Sequence, residues 1–370
     1  MTIGVPKELK DHETRVGLVP AGVGELVSQG HTVLVEAGAG QLSYFDDSEY
    51  GNAGAELVPN NKEVWARAEL VCKVKEPIEI EYRLFRPGLV LLTYLHLAPL
   101  PELTQALQQA QVTAIGYETV EGQGGGLPLL EPMSEIAGRL AVQTGAQYLE
   151  RRYGGRGLLL GGVPGVPPAR VLVLGGGIVG SNAAKIALGM GAATTVVDRD
   201  AARLRGLDER FGGHVLTLAA NPFTIAEAVR EADLLIGAVL IPGASAPKVV
   251  SEAMVATMRR GAVIVDVSID QGGCIATAHP TTHTHPSYMA HDVVHYCVTN
   301  MPAAVPRTST LALTNVTFAY VRDLAARGLK AALERDPGLA AGVNTFAGEL
   351  THPAVAAAQG RAYHPLHQLI

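Results

Sequence analysis

Apolar positions along this chain follow two alternating spacings. Short apolar runs at Thr2–Val5, Thr32–Glu36, 70–74, 89–94 and 112–117 are separated by stretches 20–29, 60–67 and 101–110, where apolar residues recur every three or four positions. The short runs predict strands and the longer period predicts helices. Pro20 opens the first helical stretch and Gly30 follows its end, the asymmetry expected of a helix start and stop. Strands alternating with helices imply a mostly parallel sheet.

Past Pro132 the period is helical for longer. Ser134 is placed to cap a helix in which Ile136, Leu140 and Tyr148 share a face toward Arg152. Gly and Pro crowd residues 154–168, which read as a connector. A second α/β unit follows, with strands at 171–174, 193–197, 215–218, 234–239 and 263–267 and helical stretches at 178–190 and 225–232. Helical spacing returns at 308–327, and the Ala-rich tail reads as helices. A tail this short is better packed onto the first unit than folded alone, which leaves the middle unit as an insertion. The expected architecture is two doubly wound α/β domains linked by long helices: residues 129–305 inserted into a discontinuous domain of 1–128 and 306–370.

Composition removes several classes of function. With 48% hydrophobic and 17% charged residues the chain can fold into a core. Its formal net charge of −6 offers a nucleic-acid backbone no overall attraction. The most apolar stretches, near 89–100, 171–184 and 234–247, fall short of the roughly 18 continuous apolar residues of a membrane span. Lys7, Glu8, Lys10, Asp11 and Glu13 leave no apolar stretch for a signal peptide, so a cytoplasmic protein is expected. Cys72, Cys274 and Cys297 are odd in number and widely spaced, which fits buried reduced thiols better than disulfides or a zinc knuckle.

The strongest chemical signal is Gly175-Gly176-Gly177-Ile178-Val179-Gly180, between a strand ending at Leu174 and a helix. In that setting Gly175 permits a tight turn, Gly177 lets a pyrophosphate approach the backbone, and Gly180 allows close helix-to-strand packing. The helix N-terminus then faces the anion. Asp198 closes the next strand, where a carboxylate can bond the ribose hydroxyls and repel a 2′-phosphate. NAD is therefore the expected cofactor, although Arg199 and Arg203 lie close enough to accommodate a phosphate.

Further blocks carry a resemblance. Gly4-Val5-Pro6-Lys7-Glu8, Glu13-Thr14-Arg15-Val16, Lys73-Val74-Lys75-Glu76-Pro77, Tyr94-Leu95-His96-Leu97-Ala98 and Tyr117-Glu118-Thr119-Val120 resemble the L-alanine dehydrogenases, within the alanine dehydrogenase/pyridine nucleotide transhydrogenase family. Pro132-Met133-Ser134-Glu135-Ile136-Ala137-Gly138, Asp270-Gln271-Gly272-Gly273 and Asn300-Met301-Pro302 match the same pattern, so the resemblance spans nearly the whole chain. It implies two Rossmann-like domains with the active site in the cleft between them, closing by hinge motion, and a homo-hexamer. The implied reaction is reversible oxidative deamination of L-alanine to pyruvate and ammonium, with hydride transfer to NAD.

The resemblance also implies roles. Arg15 and Lys75 would hold the substrate carboxylate, a task for which a planar fork and a point charge are suited. His96, with an ordinary pKa of about 6.5, would exchange a proton with the substrate oxygen. Asp270 would position the water that attacks the imine. Glu118, Met133 and Asn300 would line the substrate pocket. Ser134, Gly175, Gly177, Ile178, Val179, Gly180, Asp198, Arg203, Val239, Leu240, Val267, Ile269, Asp270, Val298 and Met301 would contact the cofactor. Ala220 departs from the pattern, since a polar cofactor contact is usual there. His279, His283, His285, His291 and His295 crowd one segment, but Pro280 and Pro286 interrupt it and no paired cysteines precede it. A loop covering the cofactor edge is expected rather than a metal site. The alternative, the NAD(H)-binding subunit of a proton-translocating transhydrogenase, would not need Arg15, Lys75, His96 and Asp270 together.

Overall fold

The computed structural model describes residues 1–239 and 246–370. These form two compact units, Met1–Met133 with Ala303–Ile370, and Ser134–Pro302. The junctions differ by a few residues from those at 128/129 and 305/306, and local contacts explain both differences. Met133 stays with the first unit because its sulfur meets Arg15 Nη1 at 3.0 Å, and Ala303 because its carbonyl accepts the Thr14 hydroxyl at 2.7 Å.

The strands, in chain order, are β1 (Thr2–Val5), β2 (Thr32–Glu36), β3 (Glu56–Val58), β4 (Leu70–Cys72), β5 (Val90–Thr93) and β6 (Thr113–Gly116) in the first unit. The second unit holds β7 (Arg170–Leu174), β8 (Ala193–Asp198), β9 (Leu216–Ala219), β10 (Leu234–Gly237), β11 (Val263–Asp266), β12 (Ser287–Ala290) and β13 (Val293–Tyr296). The returning segment adds β14 (Val343–Phe346) and β15 (Glu349–Leu350).

Among the described residues the first sheet runs β15-β14-β6-β5-β4-β1-β2-β3 and the second β12-β13-β11-β10-β7-β8-β9. The inner pairs are parallel, and antiparallel strands sit only at one edge of each sheet. Both sheets reverse their winding order once, between β1 and β4 in the first and between β7 and β10 in the second. Such a switch point opens a crevice at the carboxyl ends of the strands.

Apolar runs became the central strands because both their faces are covered. Every residue of β4, β5 and β6 is buried. On one face Val71 and Leu91 pack with Trp65, Leu103, Leu107 and Val355. In the second unit Leu172, Leu235 and Ile264 pack with Val229 and Val255. Asn60 caps the helix Asn61–Arg67 through its side chain, and Pro20 and Pro101 stand in first turns.

Ser134 does not cap the long helix. That helix spans Glu131–Tyr148, so Ser134 lies inside its first turn, and Pro132 fits there because the first N–H groups have no partner within the helix. The tail is not purely helical either. After the helices Pro306–Arg327, Leu329–Arg335 and Pro337–Ala341 it forms the β14-β15 hairpin, which extends the first sheet beyond β6.

Candidate active site

Charged side chains gather where the first sheet's strands end. The segment after β1 carries Glu8, Glu13 and Arg15; the one after β4 carries Lys73, Lys75 and Glu76; and His96 and Glu118 follow β5 and β6. Arg15 is only 2% exposed, so it is no surface charge. Its Nε and Nη2 donate to the two oxygens of Glu13 at 2.7 and 2.6 Å. Burial opposes the guanidinium's charge, but the Glu13 carboxylate outweighs it and holds the group protonated. The fork that sequence reasoning gave to the substrate is therefore engaged by Glu13.

Lys75 Nζ stands 3.5 Å from His96 Nε2. An ammonium group only donates, so the imidazole nitrogen facing it presents its lone pair. The His96 ring lies parallel to that of Tyr94, with centroids 5.8 Å apart, and the Tyr94 hydroxyl donates to the Leu129 carbonyl at 2.6 Å. Glu76 pairs with Lys10; burial raises its pKa, but the charges of Lys75 and Lys10 bring it below the ordinary value. Beneath these groups Lys73 is fully buried between Glu8, at 3.2 Å, and Glu81, at 3.0 Å. Glu8 also accepts the Val74 N–H at 2.7 Å, which ties the segment bearing Lys75 to the one bearing Arg15.

In the second unit the glycine loop has the shape its sequence implies. Gly175 has φ +95°, and a Cβ there would lie 2.5 Å from the Ala238 carbonyl oxygen. A Cβ on Gly180 would fall 1.7 Å from the Gly175 carbonyl oxygen, so only glycine lets the helix Ile178–Gly189 pack this closely. At Gly177 a Cβ would meet nothing within 4 Å, which leaves that backbone open to a ligand at the helix N-terminus. Asp198 accepts the N–H groups of Gly176 at 2.6 Å and Asp200 at 2.8 Å, and Arg203 Nη1 lies 3.2 Å away. Burial raises its pKa, but these donors outweigh burial and hold the carboxyl ionised. The donor set fits a dinucleotide: open backbone for a pyrophosphate and a carboxylate for ribose hydroxyls.

After β11 a tight turn spans Val267–Gln271 and carries Asp270 on its exposed side. Fully buried Asp266 holds the turn by accepting N–H groups of Ser268 at 3.1 Å and Cys274 at 2.9 Å, while the Ser268 hydroxyl donates to the Val239 carbonyl at 2.8 Å. Asp270 Oδ1 accepts the N–H of Asn300 at 3.3 Å, and Asn300 itself has φ +58°.

A family model described as alanine dehydrogenase/PNT, N-terminal domain, matches residues 4–137, and one described as alanine dehydrogenase/PNT, C-terminal domain, matches residues 141–353. The chain belongs to the alanine dehydrogenase/PNT family. It is 57% identical to an alanine dehydrogenase of Bacillus subtilis, covering 100% of this chain and 98% of that one. It is 55% identical to an alanine dehydrogenase of Methanococcus maripaludis, covering 100% of both. A solved L-alanine dehydrogenase, 55% identical, matches with a TM-score of 0.95 over 97% of this chain and 99% of the other. A solved transhydrogenase from Sinorhizobium meliloti is more distant, at 25% identity and a TM-score of 0.82 over 96% of this chain and 100% of the other.

Within this alanine dehydrogenase/PNT chain the structure brings Arg15, Lys75, His96, Glu118 and Met133 onto the first unit. Ser134, the glycine loop, Asp198, Arg203, Val239, Val267, Ile269, Asp270, Val298, Asn300 and Met301 fall on the second. Leu240 lies outside the described residues. The crowded histidines are not one loop. β12 and β13 form a hairpin whose two turn residues, His291 and Asp292, both have positive φ. His295 is buried in it, with Nε2 2.8 Å from the Thr277 hydroxyl, and Tyr288 stacks between His279 and His295. Among the described residues no three of His, Cys, Asp or Glu group as metal ligands.

Sequence reasoning missed Glu13, Lys73, Glu81 and Asp266. No signal in the sequence marked them, because their partners are set by how the segments after the strands fold together.

Proposed function

We propose that this chain is an NAD-dependent L-alanine dehydrogenase, catalysing the reversible oxidative deamination of L-alanine to pyruvate and ammonium. The observation that carries the reading is the Lys75 and His96 pair, 3.5 Å apart, on the same carboxyl ends of a parallel sheet as buried Arg15. A cationic anchor next to a proton-exchanging imidazole suits an amino acid whose carboxylate is held while its Cα is oxidised. The high identity to alanine dehydrogenases over the full chain supports this reaction over transhydrogenation, for which the cited relative is only 25% identical.

The discontinuous unit takes the amino acid, and the inserted unit takes NAD through Ser134, Gly175, Gly177, Ile178, Val179, Gly180, Asp198, Arg203 and the segments after β10, β11 and β13. Bound NAD supplies the acceptor for the hydride leaving Cα. Lys75 and Arg15 fix the carboxylate. His96 Nε2 takes the hydroxyl proton as the carbinolamine collapses to pyruvate, and returns it to the carbonyl oxygen in reductive amination. Asp270 orients the water that adds to the imine, while Met133 and Asn300 border the amino acid's position. Asp198 disfavours a 2′-phosphate and so selects NAD over NADP. The protein works as a cytoplasmic homo-hexamer, a reading that rests on family resemblance. The buried unpaired cysteines agree with a reducing compartment.

Purified protein supplied with pyruvate and ammonium should consume NADH much faster than NADPH, lose rate with 2-oxobutyrate, and sediment as six chains. Equal rates with NADPH would refute the role of Asp198, equal rates with the longer 2-oxo acid would refute the small pocket, and a monomer would refute the assembly.

A further inference from the structure

His96 has φ +47°, in the left-handed region that a residue with a Cβ enters only at a cost in energy. One side chain offsets that cost. Glu118, on the turn Tyr117–Thr119 after β6, aims its carboxylate at the backbone entering His96. Its Oε1 accepts the N–H of His96 at 2.6 Å and that of Leu95 at 3.1 Å, and its Oε2 lies 3.2 Å from the same Leu95 nitrogen. Two successive N–H groups thus converge on one anion, the geometry of a backbone nest, with the anion supplied by the same chain. Bonds from N–H to an ionised carboxylate are about twice as strong as neutral ones.

The surrounding turn keeps the carboxylate close. A Cβ on Gly116 would stand 2.8 Å from the Thr119 hydroxyl oxygen and 3.3 Å from Glu118 Oε2, so glycine there permits the tight return after β6. On its other side the His96 ring is parallel to Tyr94 within 8°. Glu118 therefore fixes the backbone that carries the imidazole while Tyr94 fixes the plane of the ring.

We propose that Glu118 is a positioning residue: its carboxylate locks the left-handed backbone of His96 and so aims Nε2, acting on the reaction through His96 and not by contact with the amino acid. The inference rests on the role given to His96 above. Acid–base exchange needs the nitrogen within hydrogen-bond reach of the proton, and a misplacement of about 1 Å costs on the order of 100-fold in rate.

Three variants test it in the full-length protein. Glu118→Gln keeps an oxygen able to accept both N–H groups, Glu118→Leu keeps the volume without an acceptor, and Glu118→Asp keeps the charge but shortens the reach. With L-alanine and NAD, kcat is expected to fall about 100-fold in the Leu variant, about 10-fold in the Asp variant and less than that in the Gln variant. KM for L-alanine should stay within about threefold in all three, because a positioning residue leaves ground-state binding in place. A crystal structure of the Leu variant, or of the Asp variant if the Leu variant does not fold, should show His96 outside the left-handed region. Unchanged kcat in the Leu and Asp variants, a KM rise that accounts for the lost rate in all three, or His96 retained at positive φ would overturn the proposal. A wild-type protein inactive on L-alanine would instead overturn the functional reading, and the crystal structure would still decide the geometry.

Discussion

Arg15 and Lys73 show how little a residue's type reveals of its setting. Both are cations on connecting segments, where solvated charge is the ordinary expectation, and both are buried against carboxylates. The Glu13 and Arg15 pair was legible as two charges two positions apart, but not as a closed fork, because their mutual approach depends on how the segment after β1 folds back. Glu8 and Lys73 are distant in sequence, and only the parallel pairing of β1 with β4 brings them together. Burial raises the Glu8 pKa to about 6, against the opposing pull of Lys73. Since Glu8 binds its proton more readily in the fold than in the unfolded chain, its contribution to stability is fully present below its ordinary value of 4.5 and is lost as pH rises through about 6. Glu8→Gln removes that dependence. Its stability relative to wild type, from urea unfolding, should improve by about 2 kcal/mol between about pH 4 and pH 7. A difference that does not change with pH would show that Glu8 does not titrate in this window.

At the scale of elements, apolar runs located the buried strands closely because a strand covered on both faces leaves a continuous apolar signature. Strands at or next to a sheet edge escaped more often, although the edge strand β9 was found. β3 exposes two of its three residues, and β12 and β13 lie among histidines whose turn geometry no apolar period reports. The turn at Gly175 and the close packing at Gly180 were legible, because the constraint there is steric and local. The loop's two last glycines should therefore separate in experiment. Gly177→Ala places a methyl in open space, so the melting temperature should stay within a few degrees while NADH affinity drops at least 10-fold. Gly180→Ala drives a methyl into the Gly175 carbonyl and should lower the melting temperature itself. Calorimetric melting and NADH titration of the two variants measure the contrast, and equal melting temperatures would contradict it.

At the scale of the whole molecule, the chain builds the same doubly wound plan twice and gives the two copies different chemistry. One sheet ends in Arg15, Lys75 and His96, and the other in a glycine loop and two aspartates, Asp198 and Asp270. Among the described residues no helix is long and apolar enough to cross a membrane. Burial pushes the Cys72 thiol up to about 12, which leaves it unreactive near neutral pH. The motifs at the strand ends were readable from sequence because they are short and local, whereas the charge pairs beside them needed the fold. The most direct test is the formation of NADH by the purified protein given L-alanine and NAD, alongside His96→Ala. Wild type should reduce NAD with L-alanine, and the variant should lose on the order of 100-fold or more in kcat. No NADH from wild type, or an undiminished rate from His96→Ala, would contradict the account.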